Sequence, residues 1–304
     1  PAVVVVGSVE VRTVPIEGEF VGRTAARDTV RIMPRVTGLL ESASFVEGSV
    51  VKAGDPLFQI ERRSYEIALD AARARLAQDR AGLGKARRDL GRLQPLLAEQ
   101  VVSKSEVDAT GSNITEREAA MKANQAALAK AELDLEYTTI KAPLTGVVGK
   151  LEVAVGNLVT PGQAAPLTTI SSYDPMYVYF TMPEATFLGL RKKHGVLTEH
   201  ADEVPLTLVL ADGQPYEHKG KIDFVDRAVD PTTGTLSLRA AFPNADRMLR
   251  PGQFARVRFE VERKENAVLV PRMALTQLQS QRSVFVVGPD NKVTQTPVTV
   301  DGEV

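Results

Sequence analysis

The chain has 304 residues, of which 43% are hydrophobic, enough for two or more domains with buried cores. Its 37 basic residues are balanced by 38 acidic ones, so the composition gives no electrostatic footprint for binding nucleic acid. The absence of cysteine excludes disulfides, thiolate metal sites and cysteine nucleophiles.

The first segment of the chain is rich in valine and is predicted to form strands. One strand is expected over Val3 to Val14 and should end before Pro15, and it needs partner strands from elsewhere in the chain. A second strand pattern runs from Glu17 to Arg31. No apolar run in the chain approaches the roughly 18 to 20 residues that a membrane-spanning helix needs.

The segment 63–136 is predicted to form two antiparallel helices. Apolar residues recur every seven positions, which is the period of a coiled-coil seam. They are Leu69, Leu76, Leu83 and Leu90 in the first half, and Val107, Ile114, Met121, Leu128 and Leu135 in the second. The first series stops before Ser103 and Glu106, which have the spacing of a capping box at the start of a helix. Pro95 is expected to kink or loosen the last turns of the first helix.

Two segments that flank the predicted helices repeat one another. Each contains three glycines, and the second set follows the first at a constant offset. The glycines are Gly38, Gly48 and Gly54 in residues 32–60, and Gly146, Gly156 and Gly162 in residues 140–170. Such glycines mark turns or close backbone contacts between short strands. We interpret the segments as halves of one β domain that the helices interrupt. A coiled coil between two chains is the alternative, but the halves must meet, which favours a hairpin.

The remainder of the chain is predicted to be mainly β. A strand at Met176–Thr181 and a short helix at Glu184–Lys193 are followed by strands about every ten residues, which is typical of a small antiparallel barrel or sandwich. The segment Asp230–Gly234 has the composition of a loop. Further strands are expected at 267–271, 283–287 and 292–300, and we interpret this last β unit as incomplete.

Residue types that serve catalysis or metal binding are scattered. The three histidines, His194, His200 and His218, have no metal-site spacing, and we interpret them as surface residues. Asp226 and Asp230 have no accompanying nucleophile or base, so turn roles are favoured over catalysis. We therefore expect no metal, no cofactor and no enzymatic activity.

The glycine repeats also resemble lipoyl or biotin carrier domains. Those domains present a modifiable lysine in the tight turn between their halves. Neither Lys52 nor Lys141 stands in such a turn here, so cofactor attachment is disfavoured. A carrier-like scaffold subunit of an enzyme complex remains as an alternative class of function.

The whole chain resembles the periplasmic adaptor proteins, or membrane fusion proteins, of resistance-nodulation-division (RND) efflux systems. The segments that carry the resemblance are Ile140–Pro143 with Gly146, Asp226–Leu238, Arg239–Asn244 and Leu249–Phe254. The resemblance implies a mainly β, elongated multidomain fold with an α-helical coiled-coil hairpin. Its four modules would be the hairpin (63–136), a split lipoyl-like or barrel-sandwich hybrid domain (29–62 and 137–171), a β-barrel (16–28 and 172–263) and a membrane-proximal domain (1–15 and 264–304).

The resemblance also implies a function. Such adaptors lie in the periplasm of Gram-negative bacteria and link a proton-driven inner-membrane RND transporter to a TolC-type outer-membrane channel, commonly as hexamers. They are anchored to the inner membrane by an N-terminal lipid or transmembrane helix. The chain shows neither anchor, so we expect the anchor to lie outside the given sequence. An adaptor for an ATP-driven exporter is the alternative within this class.

In that family, an arginine, a leucine and a serine at the hairpin tip dock the outer-membrane channel. Arg92, Leu96 and Ser103 stand at the family's spacings of four and then seven residues. The alternative is an ordinary helix end, with an exposed arginine, a core leucine and an N-cap serine. Pro95, inside the motif, departs from the family pattern.

Overall fold

The computed structural model describes residues 5–278 and 281–300, which divide into two compact units. One unit comprises residues 28–172, and the other combines the segments on either side of it. The strands, in chain order, are β1 (Glu10–Ala26), β2 (Thr29–Ile32), β3 (Gly38–Ala43), β4 (Val50–Val51), β5 (Pro56–Ile60), β6 (Thr139–Lys141), β7 (Gly146–Val148), β8 (Leu158–Val159), β9 (Thr168–Ser171), β10 (Met176–Pro183), β11 (Thr207–Val209), β12 (Lys221–Asp230), β13 (Thr235–Phe242), β14 (Phe254–Leu269), β15 (Leu275–Leu278), β16 (Gln281–Val287) and β17 (Val293–Pro297). The helices are α1 (Arg63–Ala98), α2 (Lys104–Glu136) and α3 (Glu184–His194). The fold class is confirmed, since the chain is mainly β with two long consecutive helices.

The β part of the unit 28–172 consists of two four-stranded sheets. Their strand orders are β2-β9-β7-β4 and β6-β5-β3-β8. The two orders are equivalent. If each strand is replaced by the strand at the equivalent position in the other copy of the repeat, the first order becomes the second. The backbone hydrogen bonds follow the same rule, because Gly48 N–H donates to the Val148 carbonyl at 2.9 Å and Gly156 N–H donates to the Leu40 carbonyl at 2.8 Å. The sequence repeat is therefore a structural repeat, in which each sheet contains strands of both copies.

The helices α1 and α2 pack against each other in antiparallel fashion. Leu69, Leu76 and Leu83 are buried in the seam, and the apolar series of α2 is half-buried along its length. An ion pair of 2.6 Å joins Arg87 of α1 to Glu118 of α2. At ~1.5 Å per residue, the 36 residues of α1 extend over about 54 Å.

A small polar cluster connects the β sheets to the base of the hairpin. Gln59 Nε2 donates to the Ile60 carbonyl at 2.7 Å and to the Thr138 carbonyl at 3.2 Å. The Thr139 hydroxyl donates to Gln59 Oε1 at 3.0 Å. Tyr65, in the first turn of α1, donates its hydroxyl to the Thr37 carbonyl at 2.7 Å. The base of each helix is thus held by hydrogen bonds to residues of the β part.

The second unit is built around a six-stranded antiparallel sheet of order β11-β14-β1-β10-β13-β12. Two reciprocal backbone hydrogen bonds of about 3 Å join Leu206 and Gly220, the residues that precede β11 and β12. These bonds connect the two ends of the strand order and close the sheet into a barrel. Phe180 and Phe242 are buried inside it, and a Cβ at Gly220 would lie 2.5 Å from the Phe242 ring.

The predicted strand break at Pro15 is wrong. Strand β1 runs through Pro15 and pairs with β14 from Glu10 to Arg23. At Pro15 the strand has a neighbour on one side only, since its pairing with β10 begins at Gly22. A proline is tolerated at such an edge position because no ladder hydrogen bond is lost there. Residues 5–9 form no strand, and Val3 lies outside the described residues.

Beyond the barrel, β15, β16 and β17 form a three-stranded antiparallel sheet. The strand expected at 267–271 is the end of β14, which continues to Leu269. Strand β15 was not predicted. The paired strands β1 and β14 run uninterrupted across the expected boundary between the barrel and membrane-proximal modules, with irregularities in register between Arg12 and Val14 and between Ile16 and Glu17.

Candidate functional site: the hairpin tip

Arg92 and Leu96 lie one turn apart in the last turns of α1, so their side chains share a face of the helix. The Arg92 side chain is 76% exposed and its guanidinium lies 3.7 Å from Asp89. Leu96 is 36% exposed, whereas Leu93 and Leu97 are half-buried. The structure thus places Leu96 at the solvent boundary next to the exposed arginine.

The end of α1 is closed by a Schellman motif. Val101 N–H donates to the Leu96 carbonyl at 3.0 Å, and Gln100 N–H donates to the Leu97 carbonyl at 3.1 Å. This motif needs a left-handed residue, normally glycine, and here Gln100 occupies that position with φ of 61°. The turn leaves Val101 67% exposed, close in sequence to Leu96. The tip therefore combines apolar surface with a guanidinium group.

Ser103 is the N-cap of α2, as its spacing to Glu106 predicted. Its Oγ accepts a hydrogen bond of 3.2 Å from the Glu106 N–H. The hydroxyl keeps its own proton, which can be donated to another acceptor. Capping α2 and contacting a partner are therefore compatible roles for this exposed serine.

Pro95 does not end α1, which continues to Ala98. Proline has no N–H, so the Gly91 carbonyl loses its helical donor at that turn. The proline thus removes one hydrogen bond from the ladder, and the helix ends within one further turn. Its own carbonyl still accepts from the Glu99 N–H at 3.2 Å.

The six glycines of the repeat occupy equivalent places in its two copies. Four of them have positive φ: Gly48 at 75°, Gly54 at 92°, Gly156 at 93° and Gly162 at 78°. Gly38 and Gly146 are instead the first residues of β3 and β7. A Cβ at Gly38 would lie 2.6 Å from Ile60 Cγ2, and one at Gly146 would collide with the Ser171 carbonyl. The first glycine of each copy therefore allows close approach rather than a turn.

The histidines were interpreted as surface residues without a metal-site spacing, and two of them lie at one carboxylate. His194 Nδ1 lies 3.5 Å and His200 Nδ1 lies 3.0 Å from the Glu203 carboxylate. The hydrogen bond from His200, with that from His194, lowers the pKa of Glu203. His218 stacks edge-on against Tyr216. Across 5–278 and 281–300, no group of three or more His, Asp or Glu side chains is arranged to hold a metal ion.

Two family models match the chain. The one described as the α-helical hairpin domain of RND membrane fusion proteins covers residues 68–138, and the one described as their β-barrel domain covers residues 175–263. The multidrug efflux pump subunit AcrA of Escherichia coli K12 is 37% identical over 298 residues, which are 96% of this chain and 75% of AcrA. The chain belongs to the RND-type membrane fusion proteins. Members of this family are non-catalytic adaptor subunits of efflux pumps.

Other comparisons agree with membership in the RND-type membrane fusion proteins. The efflux pump periplasmic linker BepD of Brucella suis is 35% identical over 303 residues, covering 98% of this chain and 76% of BepD. A solved MacA-MexA chimera with the Pseudomonas aeruginosa MexA hairpin matches 88% of each chain with a TM-score of 0.61 and 22% identity, which shows the fold alone. None of the helices among the described residues has the length and apolar character to cross a membrane.

Proposed function

We propose that this chain is the periplasmic adaptor of a tripartite pump, linking an inner-membrane RND transporter to a TolC-type outer-membrane channel. The observation that carries the proposal is the hairpin tip. Leu96 lies exposed beside Arg92, while Leu93 and Leu97, its sequence neighbours in the seam, are half-buried. Membership in the same family as AcrA, whose name describes a multidrug efflux pump subunit, supports this function.

The tip offers complementary kinds of contact to a channel. Leu96 supplies apolar surface, and the Arg92 guanidinium supplies planar donors for backbone carbonyls or carboxylates. The Ser103 hydroxyl adds a further donor at the start of α2. Together the three residues form the proposed docking site.

The remaining elements of the proposal concern assembly and location. The protein would act in the periplasm of a Gram-negative bacterium, tethered to the inner membrane, and associate with further copies of itself, with six as the expected number. We expect the chain to comprise four modules with the boundaries stated above. They are the hairpin, the split β domain, the barrel and the membrane-proximal strands. BepD, named a periplasmic linker, supports the location.

The test is drug resistance in a strain that depends on this adaptor. We expect Leu96→Asp or Arg92→Asp to abolish resistance, because each places a carboxylate in the docking surface. The adaptor should still be recovered with its transporter.

Matched controls are available on the same helices. Leu133 is 43% exposed in the part of α2 far in sequence from the tip, and Arg75 is exposed in the middle of α1. Leu133→Asp and Arg75→Asp should leave resistance near the wild-type level. Full resistance of the tip variants at normal expression would refute the docking site.

A further inference from the structure

A row of alternating aromatic and arginine side chains crosses five strands of the barrel. Each residue is the direct cross-strand partner of the next. In order, they are Phe254 of β14, Arg23 of β1, Tyr179 of β10, Arg239 of β13 and Phe224 of β12. All point outward, since the residues that alternate with them on β1, β10 and β13 are buried. Exposed aromatic and arginine side chains are the types most enriched at the energetic centres of protein interfaces.

The two arginines of this row differ in whether a carboxylate is paired with them. Arg239 forms an ion pair of 3.0 Å with Asp223, and its guanidinium lies 4.2 Å from the Tyr177 ring centroid and 5.3 Å from that of Phe224. Arg23 lies 4.4 Å above the Phe254 ring centroid. Within the ranges that the structure describes, Arg23 has no carboxylate partner. Its charge is therefore available to an external anion.

Arg23 belongs to a shallow apolar groove. Val21, Phe180 and Phe254 line it together with Tyr179. Val21 is 65% and Phe254 is 60% exposed, so the groove is open to a partner. Gly22 also lines it, and a Cβ there would lie 2.8 Å from the Tyr179 carbonyl. We call this surface the basic groove.

A second groove adjoins the first and has the opposite charge. Thr181 and Ser237 line both grooves. The second is otherwise lined by Asp226, Ala228, Val229, Asp230, Pro231 and Thr235. The two carboxylates accept hydrogen bonds from nearby backbone N–H groups, and neither has a cationic partner among the residues described. We call this surface the acidic groove.

We propose that the basic groove of one copy binds the acidic groove of a second copy of this chain. An unpaired cation beside an exposed phenylalanine matches two unpaired carboxylates beside Val229 and Pro231, and opposite potentials favour and orient association. The inference rests on the proposed self-association and assigns a surface to the contact between two copies. The contact is pairwise, because two grooves that share Thr181 and Ser237 leave no room for two neighbours at once. Burial of Phe254 and Val21 would supply the apolar contribution.

Residues 1–304 contain no cysteine, so single cysteines introduced among them permit a direct test in cells. Val21→Cys and Ala228→Cys place one thiol in the basic groove and one in the acidic groove, without removing a charged or aromatic residue. Two differently tagged full-length copies, one with each substitution, are co-expressed and oxidised. We expect a mixed disulfide at least tenfold more abundant than either disulfide between identical variants. Met248 is exposed and lies outside both grooves. A copy with Met248→Cys should therefore form no disulfide with either of the two groove variants.

Charge reversal provides the second arm of the test. Arg23→Glu or Asp226→Arg alone should reduce the mixed disulfide at least tenfold, Arg23→Lys should retain it, and Arg23→Glu combined with Asp226→Arg in both copies should restore it. Absence of the mixed disulfide, or equal yields of all products, would overturn this interface. If drug resistance still depends on Leu96 in that case, the proposed adaptor function stands without it.

Discussion

Gly38 and Val159 are direct partners on β3 and β8, and the same relationship holds between Gly146 and Val51 on β7 and β4. Each pair joins one copy of the repeat to the other, and the repeat offset exchanges the two pairs. Since the hairpin separates the copies in sequence, this pairing returns the chain to the same β domain after α2. The glycine–valine pairs therefore belong to the β domain from which the hairpin starts and to which it returns.

Alanine substitution at the paired glycines should separate a side-chain clash from a backbone clash. Gly146→Ala would meet both atoms of the Ser171 backbone carbonyl, while Gly38→Ala would meet a single side-chain methyl, Cγ2 of Ile60. We expect Gly146→Ala to destabilise the unit by about 1 to 3 kcal/mol and Gly38→Ala by less. Urea unfolding of the purified protein measures both.

Gly91→Ala is the control for that pair, because nothing lies within 4 Å of its Cβ position in the exposed end of α1. It should stabilise the helix by about 1 kcal/mol. Equal destabilisation by all three substitutions would show that close approach of neighbouring atoms is not the reason why glycine is needed at positions 38 and 146.

The left-handed Gln100 is expected to limit the stability of the hairpin tip. Gln100→Gly should raise the stability of the hairpin by roughly 0.5 to 1 kcal/mol, because glycine adopts positive φ without steric cost. Gln78→Gly, in the middle of α1, should lower it by about 1 kcal/mol. Thermal unfolding followed by far-ultraviolet circular dichroism reports both changes, and a loss of stability in Gln100→Gly would contradict the Schellman assignment.

Asn124 of α2 donates a hydrogen bond to Asp79 of α1 at a half-buried position between the helices. Asp79→Ala leaves the amide without its acceptor and should cost about 1 to 3 kcal/mol. Replacing both residues by leucine should be neutral or stabilising, because no polar group is left unpaired. Helix unfolding curves of the single and double variants test this, and a double variant less stable than Asp79→Ala would argue against the pair.

Glu260 should make the barrel unit sensitive to acid. Hydrogen bonds from Arg263, with a further one from Lys193 of α3, lower the pKa of Glu260 to about 2. A lowered carboxyl pKa contributes stability that is fully present above the ordinary value of 4.5 and is lost as the pH falls toward 2.

The variant Glu260→Gln isolates this contribution. It should melt below the wild type at neutral pH, and the difference should shrink between about pH 4.5 and 2. Thermal melts across this range measure the difference. A difference in melting temperature that stays constant across the range would show that ionisation of Glu260 does not stabilise the fold.

The elements predicted from the sequence are those with a strong local pattern. The seven-residue period located the helix seam, and the spacing of Ser103 to Glu106 located the cap of α2. The continuation of β1 through Pro15 could not be predicted, because a proline at an unpaired edge has the same sequence as one at a strand end. The register that aligns Arg23 with Tyr179 and Phe254 depends on strands far apart in the chain, which no local pattern specifies.

The hairpin tip was likewise predictable only in part. The spacing of Arg92, Leu96 and Ser103 was visible in the sequence through its family resemblance. The exposure of Leu96 and the positive φ of Gln100 required the structure, because both follow from how α1 ends after Pro95.

A photo-reactive amino acid at position 96, compared with one at position 133, tests whether the hairpin tip contacts the outer-membrane channel. In cells that assemble the complete pump, position 96 is expected to crosslink to the outer-membrane channel, and position 133 is expected not to. Crosslinking to the channel from position 133 alone, or from neither position while drug resistance is intact, would contradict docking through the hairpin tip.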